Sequence, residues 1–144
     1  MMATPALSVN TGQRNIARSI AAVFAGFVLG AALSLITDEI LHLLKVYPPW
    51  GQPMTDYPGE NALALCYRLL FTVLSGYLTA KLAPRYPVQH AVILGSIGLV
   101  VCTLGLIATL PLHLGPAWYP ISLAVTALPC TWLGGVLYRR KSVA

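Results

Sequence analysis

Charge is what this chain lacks most. Of 144 residues only 9% are charged, and four are acidic. A soluble domain carries about 25% charged residues, so the polar surface needed to remain in water is missing. Cysteine is also scarce. Cys66, Cys102 and Cys130 stand apart with no CxxC, which excludes zinc-ribbon and dithiol motifs and argues against a disulfide framework. The chain has no GxGxxG, Walker loop, HExxH or serine nucleophile elbow. No cofactor is implied. The three histidines, His42, His90 and His113, are far apart in sequence, and no metal site is expected from them.

A net charge of +5 raises the question of nucleic acid. Its placement argues otherwise, because no basic stripe interleaves with aromatics on a soluble surface. Arg14 and Arg18, then Lys81 and Arg85, then Arg139, Arg140 and Lys141 fall in three alternate segments between apolar stretches. That is the pattern of a topology signal.

What the chain has in abundance is hydrophobic residues, at 57%. They form four stretches, at 16–46, 62–82, 91–112 and 117–138, after a polar tail at 1–15. A hydrocarbon core of ~30 Å needs about 20 apolar residues in a helix. Ala91 to Leu112 and Leu114 to Tyr138 contain no formal charge, Arg68 interrupts the second stretch, and Ile20 to Ile36 is the cleanest part of the first. The fold class expected is an all-α membrane protein, a single four-transmembrane-helix bundle of two antiparallel hairpins spanning 1–144, with the lipid bilayer as its first partner. Basic residues on one side place both termini in the cytoplasm. Arg14 and Arg18 before an apolar run resemble the start of a signal peptide. The run continues into a charged helical segment, so an uncleaved first helix is expected.

The two loops on the other side are rich in proline and aromatics. Pro48, Pro49, Pro53 and Pro58 exclude helix there. Tyr47, Trp50, Tyr57, Trp118 and Tyr119 suit the headgroup layer, with Tyr47, Trp50, Trp118 and Tyr119 read as an outer aromatic surface.

Small residues recur every fourth position. Helix 1 has Ala22, Gly26, Gly30 and Ser34; helix 2 has Thr72, Gly76 and Ala80. Helix 3 carries Gly95, Gly98, Cys102 and Gly105, and helix 4 carries Ser122, Thr126, Cys130 and Gly134. Such stripes let backbones approach closely, within one chain or in a homo-oligomer. Pro129 is expected to kink helix 4. Continuing the helix 1 step leads to Asp38 and His42, and the helix 2 step back from Thr72 leads to Arg68. Ionisable groups in spans face the interior and pair with one another. An Asp38–Arg68 ion pair is therefore expected, with Glu39 as the competing partner and His42 within reach of Asp38 for a proton relay. Asp38, Glu39, His42 and Arg68 form the candidate polar or ligand site. The alternative is that they mark where helices leave the lipid, with Arg68 reaching to phosphates.

The segments VYPPWGQPM (46–54), YRLLFTVLSGYLTAKLAP (67–84), HAVILGSIG (90–98) and GPAWYPISLAVTALPCTWLGG (115–135) resemble a family of small four-helix bacterial membrane proteins without an established activity. The resemblance supplies no catalytic residues and implies a bacterial inner-membrane setting. Small multidrug exporters of similar size carry an acidic residue near the middle of helix 1, whereas Asp38 is close to its far end. Membrane glutathione transferases have Glu-Arg-x-x-Asn in the second span, and Glu60-Asn-Ala-Leu-Ala-Leu-Cys-Tyr-Arg68 departs from it. The functional expectation is a non-enzymatic accessory, structural or interaction module. The alternatives are a small transporter with an outward-facing polar pocket around Asp38 and Arg68, or an enzyme on a lipophilic substrate.

Overall fold

A computed structural model describes residues 6–144. Four helices follow one another: α1 (Ala6–Leu43), α2 (Pro58–Leu82), α3 (Pro87–Thr109) and α4 (Trp118–Val143), with a short 3-10 turn at Leu110–Leu112. No strand occurs among the described residues. All four helices are long and apolar enough to cross a membrane; the candidate spans are Gly12–Leu43, Pro58–Leu82, Pro87–Leu112 (with the 3-10 turn) and Trp118–Val143, which contain 18-residue windows of mean hydropathy 2.3, 1.5, 2.5 and 1.5. Their outer faces are greasy, with Ile20, Phe24, Leu35, Val100, Leu104 and Val125 all well exposed. Lipid is the solvent such faces need.

The boundaries differ from the sequence expectation in instructive ways. The segment assigned to a polar tail is helical from Ala6. Once a helix is nucleated, each added residue gains a hydrogen bond, and nothing between Ala6 and Ile16 breaks the run. At the far end, α1 stops at Leu43. The chain turns there through Lys45 at φ 57°, and Val46 N–H and Tyr47 N–H both donate to Leu41 O. His42 is thus in the last turn of α1, which ends short of the expected limit at 46. Pro58 starts α2 instead of preventing it, because proline at the first helical position has no amide hydrogen to satisfy. Ala83, before Pro84, is extended at ψ 133°, as the residue before a proline is pushed out of the helical region.

Small side chains build the interior. Ala22, Ala80 and Ala91 are almost fully buried, and Thr79 is completely so. Glycines bring the backbones together. A methyl at Gly76 would overlap Thr131 O, and one at Gly134 would overlap Val73 O and lie 2.6 Å from Tyr77 N. A methyl at the next residue, Gly135, would lie 2.7 Å from Ala91 Cβ instead. Adjacent helical residues point about 100° apart, so this glycine pair seats α4 against α2 and α3 at once. A methyl at Gly26 would overlap Thr79 and lie 2.9 Å from Ser75 O, and one at Gly30 would lie 2.5 Å from Ser75 Oγ. A methyl at Gly98 would make an ordinary contact with Ala127 Cβ at 3.6 Å, whereas one at Gly105 would have nothing within 4 Å. Gly105 is therefore not a packing glycine within the chain.

Pro129 lies inside α4, which remains one helix through it. The bond that residue 129 would give to Val125 O is lost with the missing amide hydrogen. Two residues on, Thr131 Oγ1 donates to Ala127 O and Leu128 O at 3.0 Å each. Trp132, beside the proline, is half exposed.

Candidate functional site

Contacts along α1 and α2 pair residue 26 with 75 and 79, residue 30 with 75, and residue 38 with 67 and 68. The segments 44–57 and 110–117 meet, Met54 N–H donating to Leu114 O at 2.7 Å. The candidate residues gather at this loop end.

Asp38 is buried at 7% exposure. Its Oδ2 accepts from Arg68 Nη2, which is the ion pair expected from the two four-residue stripes. Its Oδ1 accepts from Tyr67. Tyr67 spends its single hydrogen on Asp38, so Tyr47 donates in the Tyr47–Tyr67 bond at 3.2 Å. Glu60 O, 3.4 Å from Tyr47 Oη, shares that same hydrogen. On the other side, the Arg68 guanidinium lies 5.8 Å from the Tyr119 ring centroid, within the ~6 Å range of a cation–π contact. The series Tyr47–Tyr67–Asp38–Arg68–Tyr119 ties the first loop, α2, α1 and α4 together. A charge in hydrocarbon needs partners of this kind.

Two outer aromatics therefore depart from the sequence reading. Tyr47 is buried at 6% exposure, and burial pushes its phenol above the ordinary value. Tyr119 lies in the first turn of α4 and is turned toward Arg68. Trp50 and Trp118 do remain exposed, at 64% and 41%. A ring in such a loop faces either the headgroups or a nearby cation, and only the packing of α4 decides which.

Glu39 does not compete for Arg68. Its Oε2 accepts from Trp50 Nε1 at 3.3 Å, because adjacent positions point about 100° apart. His42 does not bond Asp38 either. Its Nδ1 is 2.8 Å from Pro48 O, and its ring lies against Trp50 with centroids 4.0 Å apart. The four-residue spacing puts Asp38 and His42 on one face, but the turn after Leu43 brings a closer acceptor to the histidine. His42, Glu39 and Trp50 hold the first loop down on α1, separate from the Asp38 network.

Beside Arg68 a cavity of about 540 Å³ opens between the loop segments, α2, α3 and α4. Its walls are mostly apolar, including Leu106, Leu110, Leu114 and Leu123. The polar lining includes Arg68, Asn61, Tyr119 and His113. Asn61 is buried at 4% exposure. Its amide hydrogens go to Met54 O at 2.8 Å and Tyr57 O at 2.7 Å, which fastens the loop to α2. Gly105, empty on its outer side, is part of the wall.

A second cavity of about 210 Å³ lies at the centre of the bundle. It shares Arg68, Cys102 and Leu123 with the first. Gly26, Gly30, Gly98 and the hydroxyl residues Ser34, Thr72, Ser75, Thr126 and Thr131 line it. Thr72, expected as a packing residue, is thus on a cavity wall. Thr72, Ser75 and Thr126 donate to the carbonyl four residues back, so their oxygens still have lone pairs for another donor.

Tyr67 and Asn61 were not legible as site residues. The available signal for Tyr67 was adjacency: positions 67 and 68 present neighbouring directions, and a carboxylate has two oxygens to fill. No group of histidine, cysteine and carboxylate side chains capable of holding a metal ion occurs among the described residues. No family model, no curated protein and no solved structure matches this chain.

Proposed function

We propose that this is a multi-pass protein of the bacterial cytoplasmic membrane. Its helices form two antiparallel hairpins with both termini in the cytoplasm, and it acts as a non-enzymatic module that binds a small molecule in an outward-facing pocket. The observation that carries this reading is the cavity beside Arg68. Its volume falls within the ~300–1,000 Å³ of small-molecule sites, and apolar walls with a few convergent polar groups are what such sites share. The glycine contacts at Gly76, Gly134 and Gly135 close the bundle away from the loop end, which supports access from one side. The basic segments support an outward orientation for that side.

Two measurements test this. A reporter fused after Ala144 should be active only as a cytoplasmic fusion; periplasmic activity would overturn the orientation. In a Cys66→Ser, Cys130→Ser background, a membrane-impermeant maleimide added to spheroplasts should alkylate Cys102, which lines the cavity. Unmodified Cys102 after labelling of the unfolded protein proves complete would remove the outward-facing pocket.

Transport is the second reading, favoured by the central cavity that meets the first at Arg68. It predicts solute- or proton-coupled flux in proteoliposomes that Asp38→Asn abolishes. A bundle without flux leaves binding alone.

A further inference from the structure

We infer that the cavity beside Arg68 takes an uncharged amphiphile, with an apolar body and a head bearing hydroxyl or carbonyl groups, and discriminates against the corresponding anion. The inference deepens the pocket reading above and rests on it.

An arginine on a cavity wall ordinarily suggests an anion. Here the charge is already matched. Both oxygens of Asp38 are engaged, one by Arg68 and one by Tyr67, and Asp38 is buried at 7% exposure. An anion entering beside Arg68 has two outcomes. It leaves the site with a net negative charge in apolar surroundings, or it displaces Asp38 and strands a carboxylate there. Both are costly where water is excluded. A cation has the opposite difficulty, because the guanidinium stands between it and Asp38.

What the wall still offers is neutral hydrogen bonding. Arg68 uses only Nη2 on Asp38, so its Nη1 hydrogens remain free, whereas its Nε is buried out of reach of the cavity. The Tyr119 hydroxyl makes no hydrogen bond among the described residues, and it can donate or accept. Asn61 has given both amide hydrogens to backbone carbonyls. Its Oδ1 remains an acceptor, on the side of Gly115, whose added Cβ would lie 3.8 Å away. Donors and an acceptor on one wall, with no net charge, match a hydroxyl or carbonyl head. Leu106, Leu110, Leu114 and Leu123, which also line the cavity, match an apolar body.

The test compares three probes of one chain length in nanodiscs: monododecanoylglycerol, dodecanoate at pH 8 and dodecyltrimethylammonium. The readout is the alkylation rate of Cys102 in the Cys66→Ser, Cys130→Ser protein. At a probe level ~10 times its Kd, the glycerol ester should slow labelling about tenfold, and the two ions should change it less than about twofold. Equal or stronger protection by dodecanoate overturns the inference and leaves the pocket standing. Labelling that no probe slows overturns it too. Cys102 that stays unlabelled without any probe removes the pocket itself. Native mass spectrometry counts bound probe independently of thiol reactivity and should give the same order. Protein extracted directly from membranes separates the sources: a retained neutral lipid identifies the bilayer, and a bare protein that still binds the added ester points to a molecule from the aqueous side.

Discussion

Asp38→Asn should destabilise the folded bundle by about 3 kcal/mol, the scale for removing one partner of a buried pair. The side chains of Arg68 and Asp38 are 29% and 9% exposed, so neither is screened as a surface ion would be. Asparagine keeps the shape of aspartate and can still accept from Tyr67. What it removes is the charge opposite Arg68, whose guanidinium has no accessible neutral form. Arg68→Gln should cost less, because a carboxylic acid left behind does have a neutral form. The double variant should recover much of the Asp38→Asn loss, with a coupling of at least about 1 kcal/mol, within the range for residues in direct contact. Equilibrium unfolding of all four proteins in one detergent measures this. Single-variant losses that simply add would show that the pair contributes no coupling and would reopen Arg68 as a group reaching to phosphates.

The glycine seam predicts the second large effect. Gly134→Ala should lower stability by about 3 kcal/mol, the upper part of the overpacking range. Alanine is favoured over glycine by about 1 kcal/mol in a helix interior, so propensity alone predicts the opposite sign. Packing wins because the atoms in the way, Val73 O and Tyr77 N, belong to the α2 backbone. A side chain could rotate aside, whereas a helix backbone cannot. Gly76→Ala should behave alike, since it meets Thr131 backbone atoms from the opposite helix. Gly105→Ala is the control. With nothing within 4 Å, it should be neutral or slightly stabilising. Denaturation midpoints of the three variants in one detergent check the order. A Gly134→Ala protein as stable as the parent would mean that α2 and α4 do not approach through their backbones.

The two effects come from different kinds of information. The Gly26–Gly30 and Gly76 stripes were readable because a four-residue period keeps small residues on one helix face. Extending the same period reached Asp38 and Arg68, so their pairing was readable without coordinates. Gly105 belonged to such a stripe and packs against nothing. Periodicity assigns a face to a residue and carries no information on whether another helix is still present at that height. His42 shares the Asp38 face by the same rule and bonds elsewhere, because the backbone turn after Leu43 sets which acceptor is nearest.

Local composition by itself determined the four apolar helices, the loops that proline interrupts, and the two ionisable residues that lie on packing faces. These follow from hydrocarbon length, backbone chemistry and helical period, all of which act over a few consecutive residues. Only the tertiary structure decided that Tyr67 completes the Asp38 coordination, that Tyr119 and Tyr47 turn inward, and that cavities open on both sides of Arg68. Those features depend on how far four helices separate along their length. Separation is set by backbone contacts at Gly76, Gly134 and Gly135, in the other half of the bundle from the site they shape.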